Sequence, residues 1–144
     1  MSRHYYRVML GRKSVHALAG IAEGFIGVND STGDLTGRLP DDWRQFNAAF
    51  IPQFLAKRPD KTRIAAGLAG GYVWTVSKGM HTGDLVLCPD GSGTYRVGEV
   101  AGDYLWVPYG VLPHRRPVHW LHRSARDGRR PPPCRSPARG RHRA

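Results

Sequence analysis

Two acids in one glycine-rich stretch, GDLVLCPDGSGTYRVGEVAGDYLW (83–106), are the side chains whose spacing first suggests chemistry. Asp90 follows Pro89 and precedes Glu99 by nine residues, which invites comparison with the nuclease pattern PD…(D/E)xK. That chemistry needs a lysine two positions after the second acid, to orient the attacking water beside the metal. Here the position is Ala101, and Asp90 in CPDGSG has the simpler reading of a turn residue. His114, His119 and His122 have no cysteine or carboxylate at ligand spacing. The GSG loop leads into a strand rather than a helix N-terminus, so it is no phosphate cradle. Ser14 and Ser77 lack the surroundings of a nucleophile. The expectation is a chain without a catalytic centre, metal or cofactor of its own.

The elements that would position these residues follow from pattern. HYYRVML (4–10) and GFIGV (24–28) read as strands, and GRKSVHALAGIAEG between them, with glycines at 20 and 24, as a loop with one helical turn. Asp41 is placed to cap a helix over PDDWRQFNAAFIPQFLAK, with Trp43, Phe46, Ala49, Phe50 and Phe54 on one face. Pro52 predicts a kink or a break there. Residues 62–80 are helix-compatible, with Ile64, Leu68, Val73 and Val76 on the buried side. Gly67, Gly70 and Gly71 weaken that helix or permit close approach of another backbone. DLVLCP is expected to be a strand buried on both faces. TYRVGEV returns with Tyr95, Val97 and Val100 inward after a bulge at Gly98. RRPVHWL (115–121) reads as an edge strand because of Pro117. The sum is an α+β fold, a small barrel of about five or six short strands with two or three inserted helices.

The net charge of +11 looks like a nucleic-acid footprint, but it is unevenly placed. Residues 122–144 hold eight arginines against the single acid Asp127, a charge of +7, which leaves +4 for residues 1–121. That tail has no Ile, Leu, Val, Phe, Tyr or Trp and is expected to be disordered. It reads either as an arginine-rich arm that grips phosphates or as GC-rich DNA translated out of frame after a truncation. No apolar run is long enough for a membrane span, and MSRHYYRVML lacks the features of a secretory signal. With two isolated cysteines, Cys88 and Cys134, the cytoplasm is the expected compartment.

Trp74, Gly83-Asp84, Gly98-Glu99-Val100, Gly102-Asp103-Tyr104 and the run HRRPVHW (114–120) occur in an order that resembles a known family. The stretch from residue 4 to 121 is similar to the N-terminal PUA-like, EVE-related domain of Mrr-type and other modification-dependent restriction endonucleases. The resemblance implies a PUA-like β-barrel over residues 1–121, with a pocket for a flipped, commonly modified base. It also implies a separate nuclease domain or subunit, which this chain does not supply after Leu121. The function so implied is DNA recognition in a restriction and phage-defence system, DNA being favoured over RNA. An RNA-binding PUA-like module and an intact small restriction endonuclease are the alternatives.

A base pocket needs aromatic faces and polar groups at the base edge. Trp74 and Phe25 are the candidate walls, extended by Tyr104 and Trp106, while Ser14, Asn29, Asp30 and Ser77 are candidates to read the edge. Arg12, Lys13, Lys78, Arg115 and Arg116 are the candidate phosphate holders. Each also has a structural reading: aromatics on these elements must pack somewhere, and Arg115 or Arg116 could brace the fold through Glu99 or Asp103.

Overall fold

The computed structural model describes residues 3–121, so the expectations for residues 122–144, including Cys134, lie outside the described residues. In chain order its elements are β1 (Tyr5–Arg7), α1 (Ala17–Glu23), β2 (Phe25–Val28), α2 (Trp43–Lys57), α3 (Arg63–Trp74), β3 (Leu85–Pro89), β4 (Tyr95–Val100), β5 (Leu105–Trp106) and β6 (His114–Trp120). A 3-10 turn at Arg12–Ser14 precedes α1, and a π-turn at Thr75–Gly79 extends α3. No helix among the described residues is long and apolar enough to cross a membrane.

α1, seven residues long, extends the single helical turn expected between the first two strands, and two glycines of that segment serve it. Gly24 ends the helix in the left-handed conformation (φ 77°), its N–H on the Gly20 carbonyl at 2.8 Å. Gly20 lets the helix lie against its neighbours: a Cβ there would stand 2.5 Å from Leu10 Cδ1 and 2.7 Å from the Phe25 carbonyl oxygen.

α2 is capped by Asp42 rather than Asp41, the Asp42 carboxylate accepting the Arg44 N–H at 3.3 Å. It runs unbroken through Pro52. The proline deprives only the Ala48 carbonyl of a helical partner, and both residues are exposed, so solvent can take that bond. Trp43 and Ala49 face outward, and the buried residues are Phe46, Asn47 and Phe50. α3 starts on Thr62, whose hydroxyl accepts the Ala65 N–H at 3.0 Å. Its buried face is Ala66, Gly70 and Val73, while Ile64 (78% exposed) and Leu68 (64%) point to solvent, contrary to the apolar pattern. Gly70 decides that register. A Cβ there would collide with Asn47 Oδ1 and stand 2.9 Å from the Phe50 ring, so α2 and α3 touch backbone to side chain at their smallest residue.

The strands form an open mixed sheet in the order β1-β3-β4-β6-β2, with β5 also on β6. Only β1 and β3 pair parallel. The α+β class therefore holds, but β1 and β2 are free ends and the sheet is not closed as the barrel expectation required. β3 alternates instead of being buried on both faces: Val86 and Cys88 enter the core, and Leu85, Leu87 and Pro89 are half-buried. β4 keeps an uninterrupted register from Leu85↔Glu99 to Pro89↔Tyr95, so Gly98 is no bulge. It lies inward with Val100, because Val118 and Trp120 pack where its side chain would be.

β6 is the most surprising strand. It is central, not an edge, pairing β4 through Val118–Trp120, β5 through His114 and Arg115, and β2 on its other side. Pro117 is tolerated because its nitrogen faces the gap where β6 passes from β4 to β5. Its carbonyl, on that same side, accepts the Ala101 N–H at 2.9 Å. Trp120 fastens β6 to α1 through Nε1–H on the Gly20 carbonyl at 3.0 Å. The main core, with Leu10, Ile26, Val86 and Val100 fully enclosed, lies between this sheet, α1 and the π-turn. A second, smaller core of Leu35, Phe46, Phe50 and Val73 sits under the α2–α3 hairpin.

The contact over Gly98 gives a direct test. Gly98→Ala should destabilise the chain by about 1–3 kcal/mol through overpacking against Val118 and Trp120, as read by urea unfolding. An unchanged midpoint would show that the β4–β6 packing is not as close as described.

Candidate functional site

A groove of about 640 Å³ opens between the sheet and the α2–α3 hairpin. Its floor is the end of β2 and the loop that follows, Gly27 to Thr32, with Leu112 beside it. One rim is Arg7, Met9, Gly11 and Arg12, from β1 and the 3-10 turn. The opposite wall is the C-terminal half of α2 (Phe50, Gln53, Phe54, Lys57, Arg58) and α3 (Ala69, Tyr72, Val73). The volume is that of a pocket for a small organic group.

Charge and aromatic surface coincide here. Arg7, Arg12, Lys57 and Arg58 face one acid, Asp30, and among the described residues none of these four cations pairs with a carboxylate. Arg7 leans on Tyr95, 5.8 Å from the ring centroid, and donates to its hydroxyl at 3.3 Å. Lys57 ties wall to floor by donating to the Ser31 carbonyl at 3.1 Å. Phe54 and Tyr72 supply ring surface, Tyr72 exposed and Phe54 half-buried. One carboxylate oxygen of Asp30 accepts the Thr32 N–H at 2.9 Å, which fixes the floor loop and leaves the other oxygen without a hydrogen-bond partner among the described residues.

The residues singled out from sequence are distributed over several places. Arg12, Asn29 and Asp30 line the groove. Lys13 is exposed next to Arg12, in a left-handed conformation (φ 55°) that continues into Ser14 (φ 59°), and Ser14 is buried against the β3–β4 turn at Gly91. Trp74 packs on Phe46, 5.7 Å between ring centroids, at the far end of the hairpin. Lys78 lies 5.9 Å over the Trp74 ring and forms a 2.8 Å ion pair with Asp41, whose carboxyl it holds below the usual range. Phe25 is core, with the Arg115 guanidinium 3.7 Å over its ring. Ser77 is buried in the π-turn with no hydrogen-bond partner for its hydroxyl among the described residues.

Tyr104 and Trp106 belong to a buried network rather than a pocket wall. His114, fully enclosed, has Trp106 against it at 5.0 Å and meets the Tyr104 hydroxyl at 2.8 Å through Nδ1. That hydroxyl accepts the Leu35 N–H at 3.2 Å and has its own proton for Nδ1. The network closes where Nε2 meets Thr32 Oγ1, at 3.3 Å. His114 thus props the groove floor from beneath. Burial pushes its imidazole below the ordinary value, against the pull of Asp30 and Asp34.

Arg115 and Arg116 are occupied by the fold, and through carbonyls rather than Glu99 or Asp103. Arg115 donates to the Leu112 carbonyl at 3.0 Å and the Val111 carbonyl at 2.7 Å. Arg116, 3% exposed, donates to the carbonyls of Gly102 (2.9 Å), Val76 (3.2 Å) and Met80 (2.8 Å). Cys88 is a core side chain, fully enclosed, and that burial pushes its thiol up to about 11.

Arg7, Lys57, Arg58 and Tyr72 escaped the sequence reading, which placed Phe54 on a helix face and not in a site. The one signal that could have found Tyr72 is the helix register: once Ala66, Gly70 and Val73 face inward, residue 72 must face out.

Two measurements follow. Arg116→Met should cost about 3–5 kcal/mol in urea unfolding, because three carbonyls lose their donor in the interior; a loss below 1 kcal/mol would put Arg116 at the surface. The His114 ring, followed by NMR, should titrate below the ordinary imidazole value of about 6.5. Because the unfolded chain takes up that proton first, stability should begin to fall as pH drops through that value. A midpoint at or above 6.5 would contradict the buried network.

Comparison with known sequences gives a single correspondence. No curated protein and no solved structure matches the chain. A family model matches residues 41–129, from the start of α2 through the end of β6 and beyond, which is more than half of the sequence. On that match the chain belongs to the family described as a domain of unknown function, DUF8426.

Proposed function

We propose that this chain is a nucleic-acid-binding module that holds an exposed base in the groove between sheet and helical hairpin. The observation that carries the reading is the groove itself, where four cations without carboxylate partners among the described residues ring a cleft walled by Phe54 and Tyr72. Phosphates would lie along Arg7, Arg12, Lys57 and Arg58, and a base unstacked from its neighbours would meet the rings. Asn29 and the free oxygen of Asp30 are the groups that would read its edge, Asn29 as donor or acceptor and Asp30 as acceptor only.

The likeness of Trp74 through HRRPVHW to the PUA-like domains of modification-dependent restriction endonucleases supports DNA as the polymer, a modified base as the target and a nuclease on another domain or subunit. β6, paired with β4 and β5 on one side and β2 on the other, is the strand about which a PUA-like sheet would curl. In this reading the base site shifts from Trp74 and Phe25 to the groove, because both of those rings are taken up by packing.

Binding of the full chain to fluorescein-labelled DNA, unmodified or carrying modified cytosine or adenine, tests the proposal at fixed salt. The arginine-rich tail contributes equally to every variant, so the groove is read by difference. Arg12→Glu combined with Lys57→Glu should weaken binding at least tenfold, and should lower the slope of log K against log salt by about 2. Equal affinity for modified and unmodified DNA would remove the modification claim, and preference for structured RNA in competition would favour the RNA alternative. An affinity insensitive to both reversals would sink the groove as the binding site.

A further inference from the structure

The loop between β5 and β6 presents one side chain that the fold does not use. Val107-Pro108-Tyr109-Gly110 is a turn closed by the Gly110 N–H on the Val107 carbonyl at 3.1 Å. Proline at its second position and φ 66° at Tyr109 give it type II geometry, whose third position calls for glycine. The available glycine sits one residue later, where it makes room for Arg115: a Cβ on Gly110 would stand 2.8 Å from Arg115 Nη2. Tyr109 therefore takes a left-handed conformation that costs a non-glycine residue about 1–2 kcal/mol. In return its ring is completely exposed, at 105%, and gains no shelter from the described residues.

The loop is also held rigid. Arg115 donates to the carbonyls of Val111 and Leu112 with its guanidinium 3.7 Å over the Phe25 ring, and Leu112, itself at φ 51°, is buried and lines the groove. The same clamp that fixes the loop thus joins its base to the groove floor and directs its tip outward. Rigid presentation of an aromatic ring lowers the entropy cost of using it in contact with a partner.

We infer that Tyr109 is a stacking contact for a nucleobase, on the same strand that enters the groove. The inference rests on the nucleic-acid reading given above and adds the loop tip to it. A ring with two flat faces and a hydroxyl, beside a cationic clamp, suits a base of any sequence, so Tyr109 supplies affinity rather than sequence choice.

The test uses the full chain and a fluorescein-labelled mixed-sequence oligodeoxynucleotide, single-stranded and duplex, with melting temperature measured in parallel. Tyr109→Gly should leave the melting temperature the same or higher, because glycine suits the turn. It should weaken DNA binding about 5- to 150-fold with an unchanged salt slope, since the ring carries no charge. Tyr109→Phe should keep the affinity. If the wild type binds, with affinity sensitive to the Arg12 and Lys57 reversals, yet Tyr109→Gly binds as tightly, this inference is wrong and the groove reading stands. If the wild type shows no binding that those reversals alter, the groove reading fails and the role of Tyr109 fails with it.

Discussion

One buried guanidinium holds three parts of this fold in register. A π-turn leaves helix carbonyls without their usual donors, and the turn at Thr75–Gly79 directs those of Val76 and Met80 toward β6. Arg116 answers both, and its third bond, to Gly102, fixes the loop from β4 to β5. Removing a charge this size from water costs several kcal/mol, and bonds from a charged donor are worth about 1.5–3 kcal/mol each. Three such bonds offset the burial only while the guanidinium is present; its loss would leave three carbonyls without their donor. Arg116 ties the end of α3 to the sheet at the point where Val76 and Met80 enter the main core.

The groove is the space left by that arrangement. α2 and α3 pack against each other through Gly70 and Asn47 and cover their own small core, so they approach the sheet as a preformed layer. Tyr104 carries the contact from that layer to the sheet, bonded to Leu35 on one side and His114 on the other. Lys57 and Ser31 make a second, exposed link at the open end. A floor of backbone braced by a neutral histidine, with a separate helical wall, gives a cleft whose cations stay in solvent while its rings are partly sheltered.

Much of the fold was legible because its signals were local. Asn-Asp after GFIGV, Thr62 before a helix and GSG between two apolar runs each announce a boundary within a few residues. The errors share one origin, which is that a residue's local preference was outweighed by a distant partner. Glycines 20 and 24 looked hostile to a helix, but Leu10 and Phe25 need the space at one and the cap needs the other. Gly98 looked like a bulge until Val118 and Trp120, about twenty residues on, filled its face. Ile64 and Leu68 made a convincing apolar stripe, yet Gly70 offered the closer packing. The candidate site was harder still. Arg12, Asn29 and Asp30 were visible as exposed polar types, whereas Lys57, Arg58 and Tyr72 join them only through the placement of the hairpin. Arg116 could not be told from a phosphate-holding arginine, because nothing in HRRPVHW says which of two adjacent arginines points inward.

Gly27 has a consequence for how sequences built on this plan can diverge. It lies in the groove floor, and a Cβ there would stand 2.6 Å from the His114 carbonyl oxygen and 3.0 Å from that of Leu112, both backbone atoms of or next to β6. Any side chain would wedge β2 away from its partner, so drift at this point is blocked and the floor can be neither deepened nor filled by ordinary substitution. Change in what the cleft accepts must therefore accumulate around its perimeter, at Arg7, Arg12, Gln53, Arg58 and Tyr72, whose side chains are exposed. The architecture separates an invariant base from an adaptable border, which is how one scaffold can be retuned for new ligands without being rebuilt.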